Sequence, residues 1–162
     1  MFERFEKDSR TVVVDAHAEA RARADARVEA EHLLLALSRR SISDAGRVLV
    51  DAGLDHERLR GALDAEVEHT LMAVGVATGT IRIPASTLPM AGQPRFGESA
   101  KGALIRALKV AKRRGDRHLA PTHILLGVLG AKEGTVPRTL AAAGVDTTEL
   151  AARVEATLGE KR

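Results

Sequence analysis

The chain contains no cysteine, which excludes disulfides and thiolate metal sites and fits the reducing cytoplasm where we expect the protein. Aromatic residues make up only 2% of the sequence, whereas apolar residues make up 44%, so small aliphatic side chains must fill the core. No apolar run approaches the roughly 20 residues of a membrane span, and the charged N-terminus lacks a signal-peptide segment. A net charge of +3 is weak support for nucleic-acid binding. We therefore expect a small helical protein that binds neither nucleic acid nor a membrane.

One apolar segment occurs twice. Residues 31–37, Glu-His-Leu-Leu-Leu-Ala-Leu, return as residues 122–128, Thr-His-Ile-Leu-Leu-Gly-Val. The same offset also pairs residues on both sides of this segment, without a gap from Phe5 to Ala156. A constant offset of this kind indicates two copies of one structural unit.

The spacing of apolar residues predicts four helices in each copy. In the first copy we expect helices at Asp8–Ala24, Glu31–Arg40, Asp44–Ala52 and from Asp55 to about Leu71. In the second copy we expect them at Glu98–Arg114, Thr122–Leu129, Thr135–Ala143 and from Asp146 to about Leu158. Ser43 and Asp55 suit N-caps, and Gly53 suits a left-handed helix end. On the fourth helix, Val67 belongs to the inward stripe and Glu66 is an ill-fitting member.

These patterns predict an all-α fold of eight helices in two pseudo-two-fold repeats. We divide the single domain, residues 1–162, into a first repeat (1–72), a linker (73–94) and a second repeat (95–162). Glycines and prolines interrupt the linker, and Thr80–Ile83 is a candidate extended piece. Its apolar residues favour packing on the helices, while recognition by a partner is the alternative.

Chemistry-bearing motifs are few. The sequence has no phosphate-binding loop, no Gly-x-Ser-x-Gly and no His-Glu-x-x-His. Two Glu-x-x-His pairs, Glu29/His32 and Glu66/His69, resemble those that hold two irons in four-helix bundles. The predicted helix around His32 is too short for such a site, and the second copy has Ala120 in place of Glu29. We expect no metal, cofactor or catalytic residue, and a metal-dependent enzyme is the alternative.

Two further features have ordinary structural explanations. His32 and the matching His123 are interpreted as buried histidines near helix starts, bonded to backbone carbonyls between the copies. The basic run Lys109–Arg117 is interpreted as the solvated face and end of a helix. It lacks the aromatic residues on which nucleic-acid bases stack.

Several segments together resemble the N-terminal domain of Clp ATPases, and most closely the ClpC type. They are Met1–Phe5, Val12–Val14, Glu31–Leu34 and the helix-ending Gly53 and Gly144. The resemblance covers nearly the whole chain except the linker, and it implies eight helices in two repeats. In that family the domain docks substrates and adaptors onto an unfolding ATPase that feeds a protease.

The resemblance implies a non-catalytic peptide- or protein-binding module of the Clp proteolytic system. We expect a free-standing protein without the ATPase module, because the linker is absent from the usual ClpC domain, and it would act as an adaptor, decoy or sequestering protein. The alternative is the substrate-docking domain of a longer ClpC-type ATPase. The expected partners are Clp proteins, their substrates and arginine-phosphorylated proteins.

Two sites follow from the resemblance. ClpC-type domains bind phosphoarginine through a glutamate that is present here as Glu31, whereas Thr122 replaces it in the second repeat. Actinobacterial ClpC-like domains bind cyclic peptides in an apolar groove between the first helices of the two repeats. His17 and Ile105 replace polar groove residues, and a second valine beside Val13 is expected to point Val14 outward. The matching groove positions are Phe2, Arg10, Val13, Val14, His17, Phe96, Lys101, Ile105 and Leu108.

Overall fold

Residues 2–76 and 92–159 are described by the structure, a computed structural model. The predicted extended piece Thr80–Ile83 and most of the predicted linker lie outside these ranges. The division of the chain at residues 72 and 95 therefore remains a prediction.

Eight α-helices account for most of the described chain, which confirms the predicted fold class. They are α1 Lys7–Ala22, α2 Ala30–Ser38, α3 Asp44–Asp51, α4 His56–Ala73, α5 Glu98–Arg114, α6 Pro121–Leu129, α7 Thr135–Ala142 and α8 Thr147–Gly159. A short 3-10 helix, Phe2–Arg4, precedes α1, and two strands of two residues each are present, β1 Arg27–Val28 and β2 Arg95–Phe96. Within the described ranges, no helix combines the length and apolarity needed to cross a bilayer.

Local capping residues set several helix ends. The Ser43 hydroxyl accepts a hydrogen bond of 3.0 Å from the Gly46 N–H at the start of α3. The Asp55 carboxylate accepts one of 2.9 Å from the Arg58 N–H at the start of α4. Between these two helices Gly53 has a φ of +73°, a left-handed conformation that favours glycine. The predicted caps are confirmed at all three positions.

The two repeats exchange their leading segments. In the parallel pair β1–β2, Val28 lies opposite Phe96, and a separate parallel bridge joins Phe5 to Leu119. The duplication matches Phe5 with Phe96 and Val28 with Leu119, so the same pairing forms twice with the roles of the copies reversed. The segment before the first helix of each repeat is therefore held by the other repeat.

The core is shared between the repeats. Helices α2 and α6 lie together at the centre, α1 packs on α2, and α5 packs on α6. The outer helices cross over, because α4 packs against α7 and α3 against α8. All these helices contribute buried apolar side chains to one continuous cluster. Both repeats therefore contribute to the same hydrophobic core.

An ion pair between the repeats explains the glutamate in the predicted inward stripe of α4. Glu66 is buried, and its carboxylate accepts a 2.5 Å hydrogen bond from Arg138 Nε on α7. That bond holds the pKa of Glu66 below its ordinary value. The next residue, Val67, is 46% exposed, so its predicted inward position is wrong. Glu66 takes the inward place because a cation from the other repeat meets it there.

Candidate functional site

His32 and His123 have equivalent surroundings, and both are buried. Each Nδ1 accepts a hydrogen bond from the N–H of the residue three positions earlier, at 2.8 and 2.9 Å. Each Nε2 lies 2.9 or 3.0 Å from a carboxylate of its own repeat, Asp25 or Asp116. The predicted bonds to backbone carbonyls of the other copy are therefore wrong. A free N–H at the helix start needs an acceptor, so each imidazole accepts on Nδ1 and donates from Nε2.

The two Glu-x-x-His pairs are engaged in separate protein contacts. The Glu29 carboxylate accepts hydrogen bonds from the Ser99 hydroxyl at 2.5 Å and from the Ser99 N–H at 3.2 Å, and so caps α5. Glu66 is bonded to Arg138, while His69 is exposed on α4. In the described ranges, no group of three or more histidine, cysteine, aspartate or glutamate side chains is arranged to hold a metal. Each of these two glutamates therefore has a hydrogen-bond partner in the other repeat.

Glu31 lies half-buried in the first turn of α2. Burial raises the pKa of its carboxyl group, and the nearby charges of Glu29 and Asp25 add to this effect. Its own backbone N–H and His32 act in the opposite direction without cancelling the increase. A carboxylate that burial has partly removed from solvent gains from a cationic ligand.

The second repeat has a cavity at the place equivalent to Glu31. Thr122, which stands where the first repeat has Glu31, is buried and lines a pocket with a volume of about 510 Å³. Acidic side chains from the first repeat, Glu6 and Asp44, line the same pocket together with Arg117. Sequence reasoning missed these acids because they come from the other copy.

The exposed apolar residues among the predicted groove members form a symmetric pair. Val14 is 65% exposed on α1, and Ile105 is 48% exposed on α5. The duplication places them at the same position of the two repeats. Val13 beside Val14 is 7% exposed and belongs to the core. The outward direction of Val14 is thus confirmed, and the repeat offset was the signal that could have paired it with Ile105.

The predicted groove residues are distributed over two depressions. Arg10 and Val14 line one with a volume of about 450 Å³, and Phe5 adjoins them. Ile105 and Leu108 line another of about 360 Å³, beside the N-terminal segment Glu3–Arg4. Lys101 is exposed and pairs with Glu98 at 2.8 Å. The side chain of Phe2, another predicted member, lies outside the described part of the chain.

His17 and Phe96, also predicted for the groove, contact each other across the two repeats. Their rings meet edge to face, with centroids 5.0 Å apart and an angle of 74°. Both side chains are half-buried. Burial and the charge of Arg21 lower the pKa of His17, while a hydrogen bond with the Pro94 backbone opposes this. The imidazole is therefore neutral at pH 7 and adds to an apolar surface.

Comparisons with known proteins agree with this architecture. The sequence profile described as Clp repeat (R) N-terminal domain matches residues 4–86 and 95–162. The chain is 29% identical over 161 residues to chaperone protein ClpC2, chloroplastic, of Oryza sativa subsp. japonica. It is 30% identical over 154 residues to chaperone protein ClpD2, chloroplastic, of the same plant. These alignments cover 99% and 93% of this chain but only 16% and 15% of those relatives.

Solved structures show the same fold. The N-terminal domain of the chaperone ClpD from Arabidopsis thaliana superimposes with a TM-score of 0.74 at 19% identity, over 98% of this chain and 97% of that one. The Hsp104 N-terminal domain from Candida albicans superimposes with a TM-score of 0.63 at 17% identity, over 93% and 88% of the two chains.

Proposed function

Because this chain belongs to the Clp repeat N-terminal domain family, we propose that it is a non-catalytic docking module that captures peptide segments of substrates or adaptors for a Clp ATPase. The exposed pair Val14 and Ile105 supports this function most directly. Each residue projects an aliphatic side chain from the first helix of its repeat, beside a depression of several hundred cubic ångströms. An exposed aliphatic side chain beside a depression suits contact with an apolar group of a ligand.

The cations around the pair support a peptide ligand. Arg10 lines the depression of Val14, and the duplication places Lys101 at the equivalent position of the second repeat. Both side chains are exposed. A peptide fits this arrangement of aliphatic side chains and cationic hydrogen-bond donors. Its side chains would fill the depressions, and its carbonyl groups would accept hydrogen bonds from Arg10 and Lys101.

Calorimetric titration with a cyclic-peptide ligand of ClpC-type domains tests the groove. We expect binding that is weakened by polar substitution at Val14 or Ile105. Absence of heat at ligand concentrations well above those that saturate a ClpC-type domain would exclude a groove of this kind.

We place the phosphoarginine site at Glu31. A carboxylate receives a planar guanidinium in two parallel hydrogen bonds, which suits a half-buried acid whose pKa burial has raised. A phosphoarginine peptide should bind the wild-type protein and lose its affinity in Glu31→Ala, whereas Thr122→Ala serves as the matched change in the other repeat. Affinity should also fall as the pH is lowered, because protonation of Glu31 removes the acceptor. Unchanged affinity of Glu31→Ala would rule this residue out.

At the level of the cell, we propose an adaptor, decoy or sequestering role, with docking within a longer ClpC-type ATPase as the second arrangement. The chain spans about one sixth of the length of the curated relatives it matches. The cytoplasmic location stays a prediction, and the named plant relatives are chloroplastic. Capture of a purified Clp ATPase by the immobilised chain, and its loss with Val14→Ser, tests the first arrangement.

A further inference from the structure

A pocket on the second repeat is separate from the depression that holds Val14. It lies between the second half of α5, the end of α6 and the outer face of α8, and its volume is about 600 Å³. Four aliphatic side chains line it: Val110, Leu126, Leu129 and Ala151. This volume is within the range of roughly 300–1,000 Å³ that is usual for ligand pockets.

The rim of the pocket is strongly basic. Lys109, Lys112 and Arg113 are exposed on α5, and the half-buried Arg106 stands one turn earlier. Arg106 donates through Nε to a backbone carbonyl of α6 at 2.7 Å. Glu155 is the one acid among the lining residues. No ion pair joins the three exposed cations to an acid in the described part of the chain, so their charge is available to a ligand.

The first repeat fills the same place with its own side chains. Glu19 on α1 is 3% exposed and receives hydrogen bonds from Arg39 at 3.0 Å and from His56 at 2.8 Å. The second repeat has Val110 at the position of Glu19 and Gly130 at the position of Arg39. It therefore lacks both the buried acid and the arginine that reaches it.

Other residue differences between the repeats also make this place more apolar inside and more basic at the rim in the second repeat. Ser38 and Arg60 of the first repeat correspond to Leu129 and Ala151, which line the pocket with apolar surface. The rim residue Arg113 replaces Ala22. One backbone arrangement thus carries a self-paired polar network in the first repeat and an open apolar pocket with a cationic rim in the second.

The geometry points to an acidic peptide segment with an aliphatic anchor as the ligand of this pocket. The anchor lies on Leu126, Leu129 and Val110, while carboxylates on both sides of it meet the cations of α5. Opposite charges on the two partners favour both encounter and orientation. Nucleic acid fits less well, because its phosphates match the rim but no aromatic side chain lines the pocket to stack a base. This inference goes beyond the docking function proposed above and concerns a neighbouring surface, which shares the rim residues Lys109 and Lys112 with the depression of Ile105.

A labelled peptide with two adjacent leucines flanked by glutamates tests the inference by fluorescence anisotropy. We expect saturable binding that weakens with added salt, and about tenfold weaker binding of the same peptide with glutamine in place of glutamate. Arg113→Glu should weaken binding about fivefold. Arg60→Glu makes the same change of charge on the corresponding face of the first repeat and should leave binding unchanged.

A second variant closes the pocket without changing the net charge. Val110→Glu combined with Gly130→Arg recreates the pair that fills the first repeat, and it should abolish peptide binding. A thermal melt reports whether this double variant folds, and if it does not, the comparison of Arg113→Glu with Arg60→Glu decides the question. Val14→Ser should leave acidic-peptide binding unchanged, which separates this site from the depression of Val14.

Three results would overturn the proposal. They are no saturable binding of the acidic peptide, equal losses in Arg113→Glu and Arg60→Glu, and tighter Arg113-dependent binding of a DNA oligonucleotide or of phosphatidylserine vesicles than of the peptide. Each would show that the pocket does not recognise an acidic segment.

Discussion

Substitution of two neighbouring valines separates binding from folding on α1. Full burial of a valine side chain is worth roughly 1.5–3 kcal/mol. Val14 is 65% exposed in the free protein, so a ligand that covers it completely gains about 1–2 kcal/mol from this contact. We expect Val14→Ser to weaken a cyclic-peptide ligand about five- to thirtyfold. The free energy of unfolding should change by less than about 0.5 kcal/mol, as at other exposed positions.

Val13 provides the matched control, because it is the same residue type on the same helix but belongs to the core at 7% exposure. Val13→Ala should lower the free energy of unfolding by about 2–3 kcal/mol, from lost burial and the cavity left behind. Calorimetric titration at a temperature where both variants are folded measures binding, and urea denaturation measures stability. If Val14→Ser bound the ligand as the wild type does, or lost as much stability as Val13→Ala, the assignment of Val14 to a binding surface would be refuted.

Three further perturbations test the structure. Glu31→Gln should stabilise the protein at pH 7, because the raised pKa of Glu31 makes its ionised form unfavourable in the folded state. In urea titrations at several pH values, this gain in stability should disappear below the ordinary pKa of glutamate. A loss of stability in this variant would contradict the burial argument. Glu66→Gln should lower the free energy of unfolding by about 1 kcal/mol at pH 7 through loss of the ion pair with Arg138, a modest value because Arg138 is 56% exposed. Because the ion pair lowers the pKa of Glu66, the loss should shrink as the pH falls through that lowered pKa. A loss that stays constant with pH would argue against the ion pair. Gly127→Ala should lower the free energy of unfolding by roughly 1–3 kcal/mol, because the new methyl group would overlap the Ala103 carbonyl oxygen where α6 contacts α5. An unchanged melting temperature would show that these helices can move apart without cost.

The helices were predictable because their signals are local. The predicted helix Glu98–Arg114 coincides with α5, and the Ser43 cap starts α3 as expected. The duplication added global information, since one offset ordered both sets of four helices. Val14 was predictable as an outward residue because it falls off the apolar stripe that contains Val13.

The remaining features depend on contacts between distant residues. Strands of two residues have no periodicity, so the pairing of Val28 with Phe96 left no mark in the sequence. Glu66 looked misplaced because its partner, Arg138, lies on a helix of the other repeat. The pocket beside α5 could not be predicted for a similar reason. The basic run was interpreted as a solvated helix face, whereas the apolar residues that it borders come from α6 and α8.

The exchanged leading segments also bear on how such a chain can arise. In a polypeptide with only one copy, the segment before the first helix and the strand after it would both lack the partner that the other repeat supplies here. Two identical polypeptides would satisfy each other through the same contacts, as subunits of a symmetric homodimer do. The two repeats of this chain pair as the subunits of such a homodimer would, but within one polypeptide. Because the halves are covalently joined, they need not be identical, and Val110 and Gly130 are two positions at which they differ.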